Sequence, residues 1–525
     1  MSEDAAPTGE NRITWPFASV VGALAAVIAF VAIQAWLAGT NDPDSMASIL
    51  YFQRLTAGQH LEVTVLTTPK PILTLVYGLT WNLAHDWRTV VWETIAIHGV
   101  SVALAVVLAG RLAGAAAAAF VAVVFIGSSS ELAEVAQANS LPWAVAGWLI
   151  AGVAVASRPP RFGIAGTALL IAGLARIETW LIMVAATLVL ASLAVPAVRS
   201  RKPTAPNIRA MLPLMLGWIA VPIQLAHDLL LAGDPLYWLG VPREYTTLVT
   251  PDLQPVGALH FALTVADRLA AMPIVTLLAA AGVVYLVAAR RIAMLIGLAG
   301  LVVGGFALLG SLAVRGTYIS ERYYEGPMLG ILFAAGIGVG ATVAFIMRRT
   351  AGSLSNAAVQ TAGAGGAIVL GVVLCVPGPL TPELHQRFEL QHAASANLET
   401  VTPRLSQIMA SVQGPAPSSV PLAEGITVVD PQLASMYVPR PLSHRVAIEL
   451  ELPLTRLGDG TVASRLAPAD LILVPGQFVY HDANVDVPEE WFAPFEIETE
   501  SLLGELRLVP LDYESEEYWL VAVEE

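Results

Sequence analysis

Residues 15–45 read WPFASVVGALAAVIAFVAIQAWLAGTNDPDS. From Trp15 to Ala38 the stretch carries no charge, and it is longer than the roughly 20 apolar residues a helix needs to cross a bilayer. The fourteen residues before it hold Arg12 against Glu3, Asp4 and Glu10. That is the wrong charge balance for a cleaved signal peptide, and the apolar run is too long for a signal core, so it reads as a retained first span. Two carboxylates, Asp42 and Asp44, follow it immediately.

The rest of the chain extends this pattern. Of 525 residues, 56% are hydrophobic and 13% are Asp, Glu, Lys or Arg, against about 25% charged residues in globular proteins. An ordinary soluble domain is therefore excluded. Ten further apolar runs lie near 89–110, 113–127, 141–157, 162–175, 179–197, 211–231, 271–289, 292–313, 326–346 and 360–377. The predicted fold is a polytopic α-helical membrane protein of about eleven transmembrane helices.

Arginine and lysine orient it. Arg111, Arg158, Arg161, Arg199, Arg201, Lys202, Arg209, Arg290, Arg291, Arg348 and Arg349 fall in turns of one parity, without acids. The opposite turns hold Asp42, Asp44, Glu62, Asp86, Glu131, Glu134, Asp234, Glu244, Asp252, Asp267, Glu321 and Glu325. The N-terminus is thus expected in the cytoplasm and the C-terminal domain outside a cell membrane. The two long loops, 39–88 and 232–270, fall on the outer side. Within the first, Ser45–Gly58 and Pro71–Leu83 are apolar but too short to cross, and read as interfacial helices.

The net charge of −14 belongs to the tail. From His385 onward there are 7 Arg, no Lys, 6 Asp and 16 Glu, or −15, which leaves 20 basic and 19 acidic groups upstream. The expected layout is a cytoplasmic segment 1–14, a membrane domain 15–378, a connector 379–424 and an acidic soluble domain 425–525. In the last, Ile426–Val429, Val446–Leu450, Leu471–Val474, Leu506–Val509 and Trp519–Val523 read as strands of a small α/β or α+β domain. The single cysteine, Cys375, excludes an internal disulfide and any cysteine-based zinc site.

Ionisable residues at membrane depth are costly and mark sites or structural pairs. Asp42 and Asp44 suit either a helix cap or a base that takes a proton from an acceptor hydroxyl. Lys70, between Pro69 and Pro71, suits a lipid phosphate as a point charge or anchors its helix by snorkelling. Arg176 and Glu178 stand where two short apolar runs meet, either pairing with each other or serving a site. His227 and Asp228 at the outer end of the seventh span, and Asp234 beyond it, are substrate-binding candidates. Residues 315–327, RGTYISERYYEGP, offer Arg322 and Tyr323 as a headgroup clamp, because Arg binds phosphate bidentately and Tyr adds a hydroxyl.

In this order and on one side, these elements resemble those of the GT-C superfamily of integral-membrane glycosyltransferases, which includes protein O-mannosyltransferases, aminoarabinose transferases and arabinosyltransferases. The resemblance spans roughly residues 15–350 and rests on Asp42/Asp44, Pro69-Lys70-Pro71, Arg176-Ile177-Glu178, Gly233-Asp234-Pro235-Leu236-Tyr237 and Arg322-Tyr323. Ile177 stands where the family usually has proline. The resemblance implies a polyprenyl-phosphate sugar as donor, with its phosphate near Lys70, Arg176, Arg322 and Tyr323. It implies Asp44 or Asp42 as the base, and a glycan, lipid or protein hydroxyl as acceptor. It requires no cofactor, and nucleic acid is not an expected partner. A divalent ion on Asp42 and Asp44 stays open, without a His/Asp cluster to support it. The competing readings are a lipid-linked glycan flippase and a membrane-anchored assembly factor working through its C-terminal domain.

Overall fold

The computed structural model describes residues 14–33, 43–61, 67–199, 210–249, 255–317, 319, 321–350 and 356–375. In the C-terminal block it describes 436–438, 448, 457–459, 471–475, 507–514 and 518–524. The apolar runs of the sequence fall in helices. These are α1 (Trp15–Ala32), α4 (Trp87–Ala113), α5 (Ala115–Gly127), α7 (Leu141–Val155), α8 (Phe162–Ala175) and α9 (Glu178–Arg199). They continue with α10 (Leu212–Ala232), α13 (Pro273–Ala288), α14 (Ile292–Val314), α15 (Glu325–Thr350) and α16 (Asn356–Cys375). Between them lie α2 (Pro43–Thr56), α3 (Pro71–Ala84), α6 (Ser129–Ala136), α11 (Tyr237–Val249) and α12 (Ala258–Ala270).

Among the described residues, five helices are long and apolar enough to cross a membrane; α12 and α13 form a sixth only if counted together across a 97° bend. Five of the other expected spans hold apolar helical stretches of 10–17 fully described residues. The chain is therefore a multi-pass membrane protein.

Local chemistry sets the ends. Asp86 caps α4 by accepting from the Arg88 backbone N–H at 2.9 Å, and Arg111 occupies its last turn, where a cation complements the helix dipole. Pro71 starts α3, since proline lacks only a donor that the first turn leaves unused. Small residues set the closest crossings. Gly282 of α13 and Gly338 of α15 face each other so tightly that a Cβ on Gly338 would fall on the Leu278 carbonyl, and one on Gly282 on the Ala334 carbonyl. Glycine at such contacts lets backbones approach within a membrane. Gly338→Ala should therefore lower the thermal unfolding midpoint in detergent, at a cost of about 1–3 kcal/mol for overpacking. Gly365→Ala, in open space on α16, should not; equal midpoints for the two variants would refute this crossing.

Two cores result. The larger joins α4, α5, α7, α13 and α15. The second lies under the first long loop, where Tyr51, Tyr77, Trp81 and Trp87 bury against Val90 and Val135, and Ile448 joins it. The loop is thus a packed unit: Tyr51 Oη donates to the Thr67 carbonyl at 2.6 Å, and Trp143 Nε1 donates to Tyr77 Oη at 3.1 Å.

In the C-terminal block the described strands form a mixed sheet of order β2-β1-β3-β5-β4. They are β1 (Met436–Val438), β2 (Leu457–Asp459), β3 (Leu471–Pro475), β4 (Arg507–Glu514) and β5 (Tyr518–Glu524). β1 pairs parallel with β2 and β3; β5 pairs antiparallel with β3 and β4. The last three of these coincide with expected strands, whereas β1 and β2 were not foreseen. The expected strand Ile426–Val429 lies outside the described residues. Of Val446–Leu450 only Ile448 is described, and it is helical rather than extended; an apolar run this short does not itself separate helix from strand.

Candidate active site

The break between α8 and α9 organises the charges. Arg176 leaves α8 in an extended conformation (φ −147°, ψ 131°) with its N–H still bonded to the Ala172 carbonyl at 2.8 Å. The turn then closes through Thr179 N–H to Arg176 O (3.2 Å) and Trp180 N–H to Ile177 O (2.9 Å), and α9 begins at Glu178. No proline is needed, because the extended Arg176 already interrupts the helix. The side chains pair across the break: Arg176 Nη2 and Nε donate to Glu178 Oε1 at 2.7 and 3.1 Å. Both residues are 8% exposed. Arg176 sits at the C-terminal end of one helix and Glu178 at the N-terminal end of the next, and each charge complements its helix dipole.

Further charges converge here. Glu134 of α6 and Glu325 of α15 act electrostatically on Arg176, and Lys70 acts on Glu178. Lys70 is held at the N-terminal edge of α3, and its carbonyl accepts from Thr74 N–H at 2.9 Å. The neighbouring Pro69 carbonyl accepts from Gln224 Nε2 at 3.2 Å, and Gln224 also donates to Asp228 Oδ1 at 2.8 Å. Asp228 Oδ2 accepts from the Trp238 backbone N–H at 2.9 Å, and the Trp238 ring meets Trp180 edge to face, 5.3 Å between centroids. A chain of contacts therefore runs from Pro69, beside Lys70, through Gln224, Asp228 and Trp238 to Trp180 near the start of α9.

Asp228, fully buried, spends both oxygens on this scaffold, with His227 Nδ1 at 3.4 Å from its Oδ1. Asp234 caps its exposed turn by accepting from Leu236 N–H at 2.9 Å.

The start of α2 is anchored by another route. Ser45 is buried and its Oγ lies 2.8 Å from the carbonyls of both Gln137 and Ala138. Those carbonyls belong to the α6–α7 turn, where Ala138 takes a positive φ of 51° and Asn139 N–H bonds to Glu134 O at 2.8 Å. Asp44, in the first turn of α2, is thus tied to the element that carries Glu134. Asp42 and the side chains of Asp44 and Arg322 lie outside the described residues. Tyr323, half-buried, packs beside Tyr324 and Phe261.

Sequence reasoning placed Glu134 and Glu325 among the outer acids but gave them no part in the site, and it missed Gln224. Glu131 and Glu134 stand three residues apart in a chain poor in charge, which was the available signal. Glu131 also holds a buried partner, His98 of α4, with Nδ1 to Oε1 at 3.2 Å. Among the described residues no group of three His, Cys, Asp or Glu is placed to hold a metal ion.

Next to the charged cluster lies a half-open cavity of about 180 Å³, or about 1150 Å³ when the open space at its mouth is counted, with an almost wholly apolar lining. Trp148, Ile182, Leu301 and Gly330 line it towards the break, and Phe162 and Met211 towards the arginine-bearing turns. Trp148 connects the two regions. It lines the cavity, and its Nε1 donates to Thr179 Oγ1 at 2.8 Å, one residue from Glu178. The α14 wall carries a π-helical turn at Gly300–Gly304 packed on Leu181 and Ile182. Such turns commonly sit at functional sites.

No protein-family model matches the chain, and no curated protein matches its sequence. Solved structures do. The chain is similar to ArnT from Cupriavidus metallidurans bound to undecaprenyl phosphate, at 14% identity and a TM-score of 0.43, over 97% of this chain and 98% of that one. The apo state of the same protein matches at 13% identity and a TM-score of 0.44, with the same coverage. The archaeal oligosaccharyltransferase AglB from Archaeoglobus fulgidus, in complex with an inhibitory peptide and a dolichol phosphate, matches at 11% identity and a TM-score of 0.41. That match covers 83% of this chain and 64% of AglB.

Proposed function

We propose that this protein is a membrane glycosyltransferase of GT-C type that moves a sugar from a polyprenyl-phosphate donor to an extracytoplasmic acceptor hydroxyl. The observation that carries the proposal is the juxtaposition of a buried charged cluster with an apolar cavity, joined through Trp148 and Thr179. A ligand matching both has a long hydrocarbon tail and a charged head. A pocket that is apolar with a few convergent polar groups suits such a molecule.

The phosphate lies near Lys70 and Arg322, with Tyr323 as a hydroxyl donor and the tail in the cavity. Arg176, paired with Glu178, shapes the field around it. Asp44 takes the proton from the acceptor hydroxyl while that oxygen attacks the anomeric carbon. The bond from that carbon to the phosphate oxygen breaks, and polyprenyl phosphate leaves with the electron pair. Cations fixed at the leaving phosphate stabilise the charge that develops there. The reaction sits on the outer face, with the N-terminus in the cytoplasm.

Purified protein incubated with labelled polyprenyl-phosphate sugar tests the activity. Consumption of donor only when an acceptor is added supports transfer; movement of the label across vesicles without consumption supports a flippase instead. Lys70→Ala should raise the donor KM by about tenfold or more, the worth of one charge-assisted contact, with a smaller change in kcat. An unchanged KM would remove Lys70 from the phosphate site.

A further inference from the structure

Helix α12 divides into three faces. At about 100° per residue, Phe261, Val265, Arg268 and Leu269 share the first, which packs on the bundle: Phe261 and Val265 join a cluster with Leu309 and Ala313 of α14 and with Tyr324. His260, Thr264 and Asp267 share a second, polar face, where His260 and Asp267 are exposed. The third holds Leu259, Ala262, Leu263, Ala266 and Ala270, all exposed, with Leu259 at 75% and Leu263 at 53%. An apolar stripe beside a polar one on a packed helix is the pattern of an element lying in a membrane surface.

The bend supports that placement. α12 meets the apolar helix α13 at 97°, so if α13 crosses the bilayer, α12 runs along its surface. The exposed stripe continues into the exposed Ile274 and Leu277 of α13, which face lipid in a spanning helix.

The packed face holds something specific. Arg268 Cζ stands 4.2 Å from the Tyr324 ring centroid, and the Phe261 ring stacks on the same tyrosine at 6.4 Å and 24°. Tyr324 ends the 3-10 turn Glu321–Tyr324 that carries Arg322 and Tyr323. Val256 N–H bonds to the Ala313 carbonyl at 3.0 Å, pinning the approach to α12 onto the end of α14.

We propose that α12 rides in the lipid surface and, through Arg268 and Phe261 on Tyr324, sets the height of the Glu321–Tyr324 turn that carries Arg322 and Tyr323. Arg268 is then a positioning residue. The surface placement stands alone; the positioning half rests on the phosphate-site reading given above.

The test uses the full chain with Cys375→Ser, in phosphatidylcholine–phosphatidylglycerol vesicles. A fluorophore is attached at Leu263→Cys or at His260→Cys, and lipids carry nitroxide quenchers on their acyl chains. Strong quenching at 263 with weak quenching at 260 is expected. Equal or absent quenching at 263 would overturn the lipid placement and leave the stripe to a protein partner or a second copy.

Binding of polyprenyl monophosphate, read by intrinsic tryptophan fluorescence, tests the positioning half without any transfer assay. Arg268→Ala should weaken binding by about fivefold, in the range of a cation–π contact, and Arg268→Lys should restore most of it. Unchanged binding in Arg268→Ala, or loss in both variants, would overturn the positioning role. If wild-type protein does not bind the lipid phosphate, the phosphate-site reading fails, and with it the positioning half, while the quenching result still decides where α12 lies.

Discussion

Asp44→Asn is expected to abolish sugar transfer while leaving expression, thermal stability and polyprenyl-phosphate binding at wild-type levels. The reasoning rests on what Asn keeps. It is isosteric with Asp, so the first turn of α2, where Asp44 sits inside the helix, keeps its shape and loses only a charge–dipole contribution of about 0.3–1 kcal/mol. The helix is also fixed independently, by Ser45 on the α6–α7 turn and by Met46, Ile49, Leu50 and Tyr51 in the second core. What Asn cannot do is accept the proton of an attacking hydroxyl. Loss of a general base costs about 10²–10⁴-fold in rate, which single-turnover measurement with labelled donor and acceptor would resolve. Full activity in this variant would remove Asp44 as the base, and Asp42→Asn would become the corresponding test.

The second large effect concerns the pair at the α8–α9 break. Glu178→Leu leaves Arg176 buried without its direct partner, and breaking a buried pair costs about 3–5 kcal/mol. A sharp fall in the unfolding midpoint should result, together with loss of transfer. The double variant Arg176→Met, Glu178→Leu is the informative one. Replacing both charges by apolar groups of similar volume is often neutral or stabilising, so the midpoint should recover. Transfer should stay low, because Lys70, Glu134 and Glu325 would have lost the charges they act upon. Recovery of stability and activity together would make the pair a structural bridge only.

Much of this architecture is legible from the sequence, for identifiable reasons. Long apolar runs force helices because lipid satisfies no backbone group. The interruption at Arg176-Ile177-Glu178 is visible without proline, since two charges inside an apolar run of that length have nowhere else to go. Pro71 and the change in composition around Ser45 mark the two helices of the first loop.

Less legible is anything that depends on helices meeting. Gln224 reaches the Pro69 carbonyl across 155 residues of chain, and no local pattern announces it. Asp228 has the polarity of a binding residue in the sequence, yet its oxygens are occupied by Gln224 and by the Trp238 backbone. Glu134 and Glu325 gain their meaning only from the end of α6 and the start of α15 bringing their charges to act on Arg176. Segment 232–270 reads as a loop because α11 and α12 are short and only partly apolar; the three faces of α12 emerge once Phe261 and Arg268 are seen against Tyr324.

The central claim is that one lipid-phosphate donor spans the charged cluster and the apolar cavity. An experimental structure with a non-transferable polyprenyl-phosphate sugar tests it most directly. The account predicts phosphate density between Lys70 and Arg322, hydrocarbon density running past Trp148 into the cavity, and the Asp44 carboxylate facing the sugar. A phosphate bound elsewhere, or a cavity left empty with the lipid seated on another surface, would contradict it.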